Sequence, residues 1–134
     1  MTEGHRYAGS WLGMEQVEAG EGTATVKMLA RPEMANAAGF VHGGMIATLA
    51  DSAMGRSTRL VGPEIRRALS FDLKMNFVNA AKIGETLYAT GKVLHAGRRT
   101  VVVDCIVKGD RERLIATATA TFLVSRTDKE EIAD

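Results

Sequence analysis

Only one stretch of this 134-residue chain repeats its apolar residues at a helical spacing, from about His42 to Leu60; every other patterned stretch alternates. One helix among five or six strands restricts the architecture severely. The strands must form a sheet whose apolar face is covered by that single helix. Strands are expected at residues 10–18, 23–29, 67–78, 86–94, 100–108 and 114–124, with turns at 20–22, 96–99 and 109–111. In the third, Leu69, Phe71, Leu73, Met75 and Phe77 fall on one face and Ser70, Asp72, Lys74 and Asn76 on the other. In the last, Ala116, Ala118, Ala120 and Phe122 share a face. The expected class is α+β: one mostly antiparallel sheet curled around one helix, which Gly62 and Pro63 stop. A single domain is expected over 1–134, with its core at about 10–124 and a polar tail at 125–134.

The bulk numbers exclude several partners. A formal net charge of +1 gives no basic field, so neither nucleic acid nor an anionic membrane is expected as a partner. No window approaches the ~18 uninterrupted apolar residues of a membrane span, and residues 1–7 lack the apolar run of a secretion signal. A cytoplasmic setting is the expectation. The single Cys105 sits among valines, which excludes an internal disulfide and a multi-cysteine metal site and predicts a buried, inert thiol.

Chemistry concentrates between residues 36 and 51, where Asn36, His42, Gly43 and Gly44 open onto a helix carrying one carboxylate, Asp51. Backbone N–H groups at a helix start suit a developing oxyanion. The carboxylate is a general base or a nucleophile, and together they suggest acyl chemistry.

Projecting the helix at 100° per residue puts Met45, Ile46, Leu49, Ala50, Ala53, Met54 and Leu60 on a core-facing half. Gly44, Ala47, Asp51, Gly55 and Thr58 fall opposite, a face of small residues that invites a second copy of the chain. Gly43 and Asp51, eight residues apart, are ~12 Å apart along a helix, too far for one carbonyl to touch both. A site using both is shared across a two-fold homodimer with antiparallel helices.

This set resembles the hotdog-fold thioesterases, in the branch that includes the phenylacetate-pathway thioesterase and the small mammalian acyl-CoA thioesterases. That pattern is Asn, six residues, His-Gly-Gly, then an acid nine residues after the His, met here by Asn36, His42, Gly43, Gly44 and Asp51. Residues 69–77, 81–85 and 97–104 are also similar, and the likeness runs from about 10 to 124. The resemblance implies a six-stranded sheet around the helix, edge-to-edge dimers, often tetramers as dimers of dimers, acyl-CoA substrates, and no metal or organic cofactor.

The expected site follows residue by residue. Asp51 attacks or activates water, and the Gly43 N–H polarises the thioester carbonyl. Gly44 serves close packing. Asn36 orients water or Asp51, unless its amide only makes an Asx-type turn. His42 positions rather than transfers a proton. Ser70, through the resemblance, helps hold the water. Gly55 departs from relatives that carry a hydroxyl one turn after the acid. Arg98, Arg99 and Lys92 are candidates for the coenzyme A phosphates, and Met45, Met54 and Phe71, with Met75 and Phe77, for the acyl pocket. Two alternatives stand beside hydrolysis of an aryl- or medium-chain acyl-CoA: a non-catalytic acyl-CoA-binding protein, and a hotdog dehydratase or hydratase.

Overall fold

The computed structural model describes residues 4–62 and 64–126. In chain order come a one-turn helix α1 (Ala8–Trp11), strands β1 (Glu15–Gly20) and β2 (Thr23–Leu29), and the long helix α2 (Gly43–Thr58). Strands β3 (Arg67–Phe77), β4 (Thr86–Ala96), β5 (Thr100–Lys108) and β6 (Leu114–Ser125) follow. All six strands join one sheet in the order β1-β2-β4-β5-β6-β3, every pairing antiparallel. Helix α2 lies against its inner face. This is the architecture that the hotdog resemblance implies.

Alternation decides what is buried. Val26 and Met28, Leu87 and Ala89, Val101 and Val103, and Ala116 to Phe122 at every second residue turn inward onto α2. From the helix, Ile46, Leu49, Ala50, Ala53 and Met54 meet them. Burying each large side chain of this kind contributes roughly 1.5–3 kcal/mol. Closest contact falls at Gly91 of β4, where an added Cβ would lie 2.9 Å from the Ala53 carbonyl oxygen and 3.0 Å from the Met54 Cα. A glycine there lets the helix axis sink onto the sheet.

Four expectations change. Residues 10–18 are not one strand: the N–H of Leu12 bonds the Ala8 carbonyl and that of Met14 bonds Gly9, closing a helical turn that buries Leu12 before β1 starts. Strand β3 does not alternate throughout. Ser70 pairs with Phe122 and Asp72 with Thr121, so Phe71 is the extra residue of a β-bulge. Leu73, Met75 and Phe77 keep the inner face, opposite Ala120, Ala118 and Ala116; upstream of the bulge Ser70 takes it and Leu69 points outward. Thr58, expected on the open side of the helix, is buried, its hydroxyl donating to the Gly55 carbonyl at 2.6 Å. Helix α2 ends at Thr58, with Arg59 as its C-cap, ahead of Leu60 and Gly62. Pro63 and the tail from 127 onward lie outside the described residues.

Candidate active site

Helix α2 begins where the sequence turns from an irregular loop to glycine. His42 is its N-cap, with extended backbone angles (φ −62°, ψ 134°) and an Nδ1 that accepts from the Gly44 N–H at 3.2 Å. That bond commits Nδ1 to accepting and leaves Nε2 to carry the proton of the neutral ring. It also uses up the Gly44 donor. The N–H of Gly43, first in the helix, has no partner within the helix and none elsewhere among the described residues. An added Cβ on Gly43 would stand 3.2 Å from the ring of Phe77, whereas one on Gly44 would meet only the His42 ring at 3.5 Å. Within the chain, close packing therefore belongs to Gly43 and not to Gly44.

Asn36 is spent partly on the loop. Its Oδ1 accepts from the N–H of Ala38 at 2.9 Å and of Phe40 at 3.1 Å, an Asx-type turn that leaves the amide NH2 to face outward chemistry. Asn36, Gly43 and Phe77 line one cavity of about 310 Å³ at the helix start.

Asp51 lies two turns further on, half-buried, and lines a different and larger cavity of about 800 Å³. Its Oδ1 is shut from solvent and has no hydrogen-bond partner among the described residues. Buried carboxylate oxygens are nearly always satisfied, so an orphan here marks a position kept for something else. Ser70 lines the same cavity from the inner face of β3, with Met14 and Phe122 supplying apolar wall. Two residues overlooked in the sequence share it: Arg56, half-buried, and Arg59, exposed at the helix C-cap.

Other expected residues lie elsewhere. Met54 has no exposed surface and sits in the core against the sheet, so it offers nothing to a ligand. Met45 is partly buried against that core. Phe71, at the bulge of the edge strand, is 58% exposed and outside the Asp51 cavity. Arg98 and Arg99 occupy the exposed β4–β5 hairpin tip, tied down through the Arg98 carbonyl to the Arg126 guanidinium and the Arg99 carbonyl to the Val124 N–H. Lys92 is exposed and lines a groove on the outer side of the sheet with Leu94 and Thr119, away from Asp51. Cys105 is buried, and burial, with Asp104 next to it, pushes its thiol up to about 12. No group of three or more potential metal ligands occurs among the described residues.

Comparison with known proteins places this geometry. A model of the thioesterase superfamily matches residues 38–116. A protein of Archaeoglobus fulgidus named as an esterase is 35% identical over 78% of this chain and 66% of its own. The acyl-coenzyme A thioesterase PaaI of Escherichia coli is 30% identical over 78% of this chain and 73% of its own. Among solved structures, a Streptococcus mutans protein bound to acetyl CoA superposes with a TM-score of 0.81 at 28% identity, covering 96% of this chain and 98% of that one.

Proposed function

The chain belongs to the thioesterase superfamily as a PaaI-like thioester hydrolase, and on that basis we propose that it cleaves acyl-CoA thioesters, aryl or medium-chain, at a site shared by two subunits. Asp51 is the nucleophile or the general base. In the general-base course it takes a proton from water, the hydroxide adds to the thioester carbonyl, and the oxyanion is received by the Gly43 N–H. Collapse breaks the C–S bond, and the departing thiolate takes the proton held by Asp51. Ser70 holds the water and Asn36 orients it through its free amide. His42 keeps the helix start in place. The scheme asks nothing of a metal or organic cofactor.

The observation that carries this reading is the orphaned Asp51 Oδ1 in a cavity separate from the one lined by the unpartnered Gly43 N–H. Each half-site lacks what the other has. Strand β3 also supports a dimer: it is an edge strand of eleven residues with exposed Leu69, Phe71, Leu73 and Phe77, a length of apolar edge that lone subunits avoid. Edge-to-edge pairing runs two α2 helices antiparallel, bringing Asp51 of one toward Gly43 of the other. Two such dimers form the tetramer implied by the resemblance.

Mixing is the test. Asp51→Asn and Gly43→Pro homodimers are each inactive toward acyl-CoA, read as thiol release. Exchanged subunits regain one intact site per heterodimer, about a quarter of wild-type activity at equal mixing. No recovery after proven exchange refutes the shared site. Single turnover in H2(18)O separates the two courses, because label first enters Asp51 only if the carboxylate attacks.

A further inference from the structure

The cavity that holds Asp51 is unbalanced in charge. Among the described residues that line it Asp51 is the only acid, yet two guanidiniums, Arg56 and Arg59, line it as well. Neither has a carboxylate within ion-pair distance among the described residues, and neither pairs with Asp51, whose Oδ1 remains unpartnered. Arg56 is half-buried, and the one hydrogen bond of its guanidinium among the described residues is a long one, 3.3 Å, to the neutral Oε1 of Gln16. A guanidinium has five N–H donors in a planar fork that matches a carboxylate. Most of the Arg56 fork has no acceptor among the described residues. Met14, Leu60 and Phe122 add apolar wall to the same cavity.

We infer that Arg56 and Arg59 determine specificity by receiving a carboxylate at the far end of the acyl group, so that the preferred substrates are thioesters of medium-length dicarboxylic acids. The inference rests on the hydrolase reading above, with the thioester at Asp51. From there Arg56 stands five residues along the helix, a rise of ~7.5 Å, and Arg59 eight residues, ~12 Å. An acyl chain lying along α2 places its methylenes on the apolar wall and its ω-carboxylate between the two guanidiniums. The carrier's phosphates are the other anions of such a substrate. They hang beyond the long pantetheine arm on the opposite side of the thioester sulfur, so a chain seated at Asp51 directs them away from this pair.

The test compares kcat/KM for adipoyl-CoA and hexanoyl-CoA, equal in chain length and differing in the terminal charge. The same acyl pair is also made on pantetheine, which lacks the nucleotide phosphates. In the wild-type protein the adipoyl/hexanoyl ratio is expected to exceed ~10, the value of one charge-assisted pair, on both carriers. It falls at least ~10-fold in Arg56→Gln and in the Arg56→Gln/Arg59→Gln double variant, and Arg56→Lys restores part of it. A wild-type ratio of one or less, or a ratio that the variants leave alone, overturns the inference while hydrolysis itself stands. So does an equal loss on both CoA thioesters with no loss on pantetheine thioesters, which assigns the guanidiniums to phosphate. If no acyl thioester of any kind is cleaved, or Asp51→Asn cleaves at the wild-type rate, the hydrolase reading fails first and takes this inference with it.

Discussion

Ser70 shares the Asp51 cavity because β3 carries one residue too many. The bulge at Phe71 puts Ser70 opposite Phe122 on the helix-facing side of the sheet. Without the bulge, regular alternation from Leu73 backward would turn Ser70 outward and Leu69 inward. A hydroxyl and a carboxylate thus line one cavity, where a water would find both as hosts.

Asp51→Asn keeps the size of the side chain and removes its basicity. The expected loss in kcat is at least ~10², the usual worth of general-base help. Ser70→Ala removes one neutral hydrogen bond and should cost about tenfold at most. Light scattering should report the wild-type assembly in both. Turnover of Asp51→Asn within a factor of two of wild type would remove the carboxylate from the chemistry.

Gly43 admits a cleaner experiment than most backbone donors. It is the first residue of α2, where proline is tolerated, and His42 before it already has the extended conformation that proline requires. Gly43→Pro therefore deletes the N–H while keeping the helix, and kcat should fall by ~10²–10³. Gly43→Ala retains the N–H and presses only on Phe77, which is 54% exposed and free to yield. Its kcat should stay within about tenfold of wild type. Equal losses in the two variants would assign the effect to crowding at Phe77 and not to the donor.

What the sequence made legible follows from locality. Strands β2 and β5 lie within tight turns and were readable to the residue, and α2 was bounded within two residues by its own cap and glycines. The bulge at Phe71 was not, because the inserted residue is itself apolar and continues the alternation; its register is set by pairing with β6. Arg56 and Arg59 escaped for a related reason. The cavity that unites them with Asp51 is completed by α1, β1 and β3, far away in the chain.

Gly91 was likewise invisible as a contact, since an isolated glycine in a strand looks only like a weak point. Against it lie the Ala53 carbonyl and the Met54 Cα, backbone atoms that cannot rotate away. Gly91→Ala should force α2 off the sheet and lower stability by ~1–3 kcal/mol, measured by urea unfolding. Because the same helix carries Gly43 and Asp51, kcat should fall with it. An unchanged midpoint would mean that the helix seats more loosely than the distances say.

Glu85 gives a prediction in pH. Burial opposes its charge, but the N–H groups of Lys82 and Asp110 and the guanidinium of Arg113, 2.6 Å away, outweigh that and hold the carboxyl below its ordinary value of 4.5. It fixes the turn at Asp110–Glu112, where Arg111 and Glu112 adopt left-handed angles (φ 58° and 57°) that side chains other than glycine enter at a cost. A carboxyl whose folded pKa is depressed contributes stability fully above its unfolded pKa and loses it as pH falls through the folded one. The melting temperature should therefore drop below about pH 4.5, and Glu85→Gln should flatten that acid limb while costing ~1–3 kcal/mol at neutral pH, discounted for the partial exposure of Arg113. An acid limb as steep in Glu85→Gln as in wild type would place the titrating carboxylates elsewhere.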